Sequence, residues 1–326
     1  MRGWTQDWSY WWKNLSGWKR WYPLFLLGLY YGALGLLGGF KPDVWVAAVP
    51  VVLYYGGPRV RRFLCFIFPL ILTAVIYDSQ RYYADFIRGP IHVSEPYRFD
   101  KYFFGVRADQ GILTPNEWFQ LHTHPVLDFF TGLAYLIFVP VFVGCAAYFQ
   151  FWLGRKGTQK QSAEYIKKVA PQVMWAFFWV NMIGYSTYYW YAASPPWYAA
   201  LYGFGSARTD IPANLAGCVR FDQLIGFAVF EQWYGRSADV HGAIPSLHIA
   251  YPLQAVLYAF HFGALRILTL LFFLLMCFSA VYLNHHYVLD ILWGSAYAVA
   301  VVGVILYRES IWALFKKWSF EHTIFS

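Results

Sequence analysis

Charge is scarce in this chain. Asp, Glu, Lys and Arg make up 13% of its 326 residues, where a soluble domain carries about 25%. With 59% hydrophobic residues beside them, that scarcity excludes an ordinary water-soluble fold. Cysteine is sparse as well. Of the four present, Cys65, Cys145 and Cys277 fall inside apolar runs and Cys218 stands alone in a polar stretch, which excludes a disulfide framework and a thiolate zinc site. The N-terminus has no apolar core followed by a small-residue cleavage site, so no cleaved signal peptide is expected. No internal repeat or low-complexity segment interrupts the chain, which is read as one membrane domain. Nucleic acid is excluded as a partner despite a formal charge of +8, because the Lys and Arg lie in short segments between apolar runs and form no single patch.

What the chain has in quantity is apolar and aromatic side chains. Its 17 Trp and 27 Tyr suit belts at two lipid–water interfaces. A membrane span needs roughly 20 mostly apolar residues, and eight such runs are read at 22–40, 43–57, 63–83, 126–153, 171–192, 244–261, 266–283 and 288–307. The expected fold is all-α, a polytopic membrane helix bundle of about eight transmembrane helices. With the N-terminus inside, sixteen of the 25 Lys and Arg fall on the inner side, which predicts cytoplasmic termini. Trp4, Trp8, Trp11, Leu15 and Trp18 recur at helical spacing and predict an amphipathic anchor on the inner surface over 1–21. Two outer segments are long, 84–125 and 193–243. In the first, Thr114-Pro115-Asn116-Glu117 reads as an N-cap, a proline at the first helical position and a capping-box Glu, predicting a short helix over 115–122.

The polar residues gather at one face. Pro245-Ser246-Leu247-His248 opens the sixth span, the seventh returns to the same face at Asn284, and His285-His286-Tyr287-Val288-Leu289-Asp290 opens the eighth. Two crossings separate His248 from His286, so both lie at similar depth on the outer side. His286 and Asp290 are four apart and share a helical face. An Asp in a span costs about 2.5–3.5 kcal/mol at mid-membrane and needs a partner; imidazole is one, and the carboxylate in turn fixes the ring's tautomer. A quiet polar cap at the interface is the plain alternative. Ser246 is either an N-cap or a hydroxyl donor to a bound anion. Arg220 is either a phosphate clamp or a surface arginine paired with Asp222, and Arg81 with Asp78 stands at the same fork. His122 and His124 are two apart and cannot put two ligands on one helical face, so no metal is expected there. Asn284 and His285 are expected to support the site from behind. His92, His241, His261 and His322 read as interfacial or loop residues.

These motifs carry a resemblance. "PSLH" at 245–248 and "HYVLD" at 286–290 resemble the second and third signatures of the type-2 phosphatidic acid phosphatase superfamily, P-S-x-H and S-R-x5-H-x3-D. Ser279 stands at the serine of the third signature; Ala280 replaces its arginine, and no K-x6-R-P first signature is found. Those departures argue against an ordinary lipid phosphatase. "YDSQRYY" (77–83), "LTPNEWF" (113–119), "PPWY" (195–198), "GAIPSLH" (242–248) and "NHHYVLD" (284–290) resemble the fungal-type inositol phosphorylceramide synthase branch over roughly 60–305. The lack of a long C-terminal tail points to a compact bacterial relative.

The resemblance implies a six-helix catalytic core over 58–310, preceded by an accessory hairpin (22–57) and followed by a cytoplasmic tail (311–326). It implies a membrane enzyme without a cofactor or metal that moves phosphoinositol, or another phospholipid headgroup, from a phosphatidylinositol-type donor to ceramide and releases diacylglycerol. His286 would attack phosphorus, Asp290 would orient it, and His248 would move the proton. Ser246, Arg220, Arg81 and Asp78 are the phosphate-binding candidates, and the site would lie on the outer face, periplasmic or Golgi-luminal. Hydrolysis of a lipid headgroup is the rival within the same motifs; a lipid transporter is the rival outside them, though its usual repeats and broken half-helices are not seen.

Overall fold

A computed structural model describes residues 15, 17–36, 47–234 and 239–323 of the chain. They fall into two compact units that divide after Tyr82. The first unit contains helices α1 (Tyr22–Leu36), α2 (Ala48–Tyr55) and α3 (Pro58–Ser79). Gly57, at φ 98°, turns the chain between α2 and α3, and Pro58 then pre-sets the first turn of α3. The run expected over 43–57 is helical for the eight residues of α2, with 43–46 outside the described residues. Of the expected N-terminal stripe, Trp4, Trp8 and Trp11 also lie outside them, whereas Leu15 is buried and Trp18 exposed.

The second unit is helical apart from two small two-stranded pairings. In chain order it holds β1 (Ile91–His92), α4 (Ser94–Phe103), β2 (Val106–Ala108), β3 (Gly111–Leu113), α5 (Pro115–Leu121), α6 (Pro125–Ala147), α7 (Pro171–Trp190), β4 (Ala192–Ala193), α8 (Pro196–Tyr202), α9 (Cys218–Ile225), α10 (Leu247–Phe262), α11 (Arg266–Tyr282) and α12 (Val288–Thr323), joined by turns, loops and shorter helical segments such as Ala163–Val169 and Val229–Tyr234. Among the described residues, three helical stretches are long and apolar enough to cross a membrane: Val60–Tyr82 in the first unit, and Pro125–Lys156 and Val288–Arg308 in the second. Tyr22–Leu36 and Arg266–Tyr282 are shorter apolar helices. Helix α12 continues beyond the expected end of its span, so residues 311–323 of the expected tail are helical.

The bundle is a membrane bundle by its surface. On α11, Ile267, Leu268, Leu271 and Leu274 are all more than half exposed and lie along one side of the helix. Such a stripe is unfavourable in water and neutral in lipid. Inside, several polar groups find partners on neighbouring helices. Tyr251 of α10 donates to Asn181 Oδ1 of α7 at 2.6 Å, Asn181 donates to Phe177 O, and Gln254 donates to Ala176 O. Glycine sets the closest approaches. A Cβ on Gly132 of α6 would sit 2.4 Å from the Phe221 ring of α9, and one on Gly294 of α12 would sit 2.2 Å from Ser246 O at the mouth of α10.

The two long segments 84–125 and 193–243, expected on the outer side, are stitched together. β1 pairs in parallel with β4, Arg88 forms a buried ion pair with Asp239 at 2.8 Å, and His241 bonds Ser194 Oγ at 3.0 Å and Arg208 O at 2.9 Å. His241, read from sequence as a loop residue, is therefore a buried tie, and burial holds its imidazole below the ordinary range. The expected capping box forms: Glu117 N–H donates to Thr114 Oγ1 and Thr114 N–H to Glu117 Oε2, over a helix ending at Leu121.

Helix α12 begins against a carboxylate from far away in sequence. The N–H groups of Val288 and Leu289 donate to the two oxygens of Asp100, at 2.6 and 3.0 Å. Asp100 is fully buried on α4, and satisfies N–H groups that no helix can bond internally. Burial pushes its carboxyl up to about 7 from 3.8; the two N–H groups oppose that rise and the nearby Asp290 adds to it.

Two outcomes follow from this packing. Gly294→Ala must drive α12 and the mouth of α10 apart, since the obstacle is backbone. A loss of about 1–3 kcal/mol, read as a lower unfolding temperature in detergent, is expected; an unchanged value would mean the helices stand further apart than described. Asp100 binds its proton more tightly folded than unfolded, so its contribution to stability is complete below pH 4 and is lost as pH rises to about 7. Across pH 5–8 the unfolding temperature of wild type should fall more steeply than that of Asp100→Asn. Parallel slopes would show that the carboxyl does not titrate in that window.

Candidate active site

The centre of the second unit is built on the turn between α11 and α12. Asn284, at φ 62°, ends α11 in the left-handed region that asparagine tolerates. The N–H groups of His285 and His286 then both fold back onto Ala280 O, at 3.1 Å each. This leaves His286 two residues ahead of α12, so it does not share a helical face with Asp290 as the spacing predicts. The pair forms regardless: His286 Nδ1 lies 3.1 Å from Asp290 Oδ2, which also accepts the Tyr287 N–H at 3.0 Å.

The second histidine arrives on α10. Ser246 N–H donates to Asp290 O at 3.0 Å, tying the mouths of α10 and α12 together. His248 Nδ1 then lies 3.0 Å from His286 Nε2. The protons can be assigned by elimination. The carboxylate accepts from His286 Nδ1–H, which leaves a lone pair on His286 Nε2, so His248 Nδ1–H must donate to it. An unprotonated nitrogen thus faces a proton donor, with a carboxylate behind it. Tyr135 of α6 stacks on His248 at 4.7 Å between ring centres, and Phe138 closes in at 4.8 Å.

Ser246 occupies the position before α10, but its hydroxyl caps nothing and has no partner among the described residues, although it is fully buried. Asp290 Oδ1 is in the same state. Of the two readings of Ser246, the side-chain N-cap is therefore overturned: the Ile249 and Ala250 N–H groups bond the Ser246 carbonyl oxygen, and its hydroxyl caps none of the first turn.

Arg220 on α9 is half-buried and pairs with Asp128 of α6, its Nε 2.5 Å from Oδ1, not with Asp222. Asp222 instead accepts the N–H groups of Phe230 and Glu231. Arg220 also donates to Gln120 Oε1 at 3.1 Å and stacks over the Tyr282 ring. Arg81 and Asp78 form an ion pair with each other in the first unit. His285 is buried beside the pair of histidines, its Nε2 3.0 Å from Leu215 O and its ring stacked on Tyr135. His124 accepts the Val126 N–H as the cap of α6, and His122 lies 2.8 Å from Trp118 O. Ala280, which stands at the arginine of the third signature, is fully buried, and Ser279 bonds back to Leu275 O.

Three contributors went unread in the sequence. Asp100 anchors α12. Asn116 donates from Nδ2 to Val281 O and to His286 O, both at 3.0 Å, and so holds the turn that carries His286. Tyr135 floors the site. Asp100 and Asn116 act on partners 165 to 188 residues away, a distance over which one sequence holds no signal.

With this geometry in view, comparison with known proteins is informative. The family model of the PAP2 superfamily matches residues 108–304. Phosphoinositol dihydroceramide synthase of Bacteroides thetaiotaomicron is 34% identical over 259 residues, 78% of this chain and 80% of that protein. The inositol phosphorylceramide synthase catalytic subunit AUR1 of Saccharomyces cerevisiae is 26% identical over 86% of this chain and 67% of its own length. The inositol phosphorylceramide synthase of Candida albicans is 28% identical over 44% of this chain. No solved structure matches. The family match spans the Asp290–His286–His248 line and the helices that build it, and the chain belongs to the PAP2 superfamily.

Proposed function

We propose that the protein transfers phosphoinositol from a phosphatidylinositol-type donor to ceramide and releases diacylglycerol. The observation that carries this is the line Asp290–His286–His248, with contacts of 3.1 and 3.0 Å; the names of the relatives supply the substrate classes. His286 Nε2 attacks phosphorus. A P–N bond forms, the bond from phosphorus to the diacylglycerol oxygen breaks, and His248 gives that oxygen its proton. Ceramide's primary hydroxyl then attacks the phosphohistidine: His248 takes the hydroxyl proton, the new P–O bond forms and the P–N bond breaks. Asp290 holds His286 in the tautomer that leaves Nε2 unprotonated, in the way a carboxylate orients a catalytic imidazole.

A phosphoryl group has to lie between the two histidines, about 3–3.5 Å from the attacking nitrogen. Their 3.0 Å contact is the substrate-free arrangement, and the rings must part when a donor enters. The Ser246 hydroxyl, two residues before His248 and without a partner among the described residues, is proposed to donate to a phosphoryl oxygen. Arg220 is proposed as a more distant positive charge that acts through Gln120, since Asp128 already holds it. The termini are proposed to be cytoplasmic and the site to open on the outer face.

Two measurements test this. Detergent-solubilised protein given labelled phosphatidylinositol should form a phosphosphingolipid only when ceramide is present, and His286→Ala should lower that rate at least about 10⁴-fold. Inositol phosphate released equally with and without ceramide would make the protein a hydrolase. For orientation, Gln110→Cys in a cysteine-free background places a thiol on the exposed turn between β2 and β3. A membrane-impermeant maleimide should label it in intact cells; labelling only after lysis would reverse the topology.

A further inference from the structure

Beside the histidine turn lies a cavity of about 340 Å³, a volume near the lower end for small-molecule sites and room for roughly ten waters. It is far too small for two acyl chains and fits one sugar-sized ring. Asn284 and Tyr287, the residues flanking His285 and His286, form one wall; α5 forms another, with Asn116 and Glu117; Ala200 of α8 and Gln110 close the rim.

The chemistry of the wall is specific. Asn116 is 1% exposed, spends its Nδ2 on two backbone oxygens, and leaves Oδ1 with no partner among the described residues. A buried acceptor of that kind is costly unless something donates to it. Glu117 is already satisfied: Thr114 N–H and Oγ1–H donate to Oε2, Tyr97 OH donates to Oε1 at 3.1 Å, and Lys101 Nζ donates to that phenol oxygen at 3.0 Å. Both carboxylate oxygens are thus engaged before any ligand arrives, with the Lys101 charge one hydrogen bond further out. No Lys or Arg lines the cavity, so it does not attract a phosphate. What remains are carboxamides, a buried acceptor and aromatic walls, which suit an uncharged ligand bearing several hydroxyls.

We infer that this cavity is the subsite for the donor's headgroup, and that it selects an uncharged, polyhydroxylated ring by hydroxyl donation to Asn116 Oδ1. This rests on the transfer reading above. It adds that donor choice is made by the wall formed by α5 and the 284–287 turn, while the histidines treat all phosphodiesters alike. Because Asn116 also holds His286 O, ligand binding and placement of the histidine share one side chain.

The test compares phosphatidylinositol with phosphatidylethanol, a diester of equal charge whose headgroup is two carbons. Each lipid is added in detergent to the full chain carrying His286→Ala, so that nothing turns over, and thermal stabilisation is read. Phosphatidylinositol should stabilise at concentrations at least about tenfold lower than phosphatidylethanol does. Ala200→Trp, which fills the rim from an exposed position, should remove that difference while leaving the unliganded unfolding temperature in place. Gln110→Leu, also exposed, provides a second variant that leaves the core alone and should narrow the difference. Equal stabilisation by both lipids, or a difference that survives in both variants, overturns the subsite. Failure of the transfer reading appears separately, as absence of ceramide-dependent product from the unmutated protein.

Discussion

The structure depends on a shortage of hydrogen-bond donors around buried carboxylates. Asp100 and Asp290 are both fully buried in a protein with few cations nearby, and an unpaired carboxylate in such a place costs several kcal/mol. The donors come from the start of α12, where the N–H groups of Tyr287, Val288 and Leu289 are free of helical partners by geometry. One carboxylate takes two of them and the other takes the third together with the His286 ring. The same arrangement therefore solves two problems at once. It finishes a helix and sets the orientation of the imidazole.

From that point the neighbouring elements fall into place. Gly294 lets Ser246 approach α12, Ser246 N–H bonds Asp290 O, and His248 follows one helical step later. Tyr135 and Phe138 of α6 then pack against the His248 ring. A reaction between two lipids needs such a site, because both substrates keep their chains in the bilayer while the bonds that change lie at its edge.

Some of this was legible in the chain alone. Counting crossings put His248 and His286 on one face, and two signatures identified the family. The capping box at Thr114 was legible because all its members lie within four residues. Where the reading failed, the reason was long-range pairing or local turn chemistry. One of the two readings of Arg220 pairs it with Asp222, its neighbour in sequence, whereas Asp128 reaches it across the bundle. The helical-face argument for His286 and Asp290 missed the left-handed Asn284, which delays the helix by two residues and still brings the groups together. His241 does lie in a loop, as read, but its burial was not legible because its partners Ser194 and Arg208 are more than thirty residues away.

Ala280 has a wider consequence. Where the superfamily pattern places a guanidinium, this chain has a buried methyl group, and Arg220 is already neutralised by a carboxylate. A phosphate monoester carries about 1.5 to 2 negative charges at neutral pH, whereas a diester carries one. The positive charge available near His286 is therefore smaller than the superfamily pattern supplies, and a diester, with a single charge to balance, needs less of it than a monoester does.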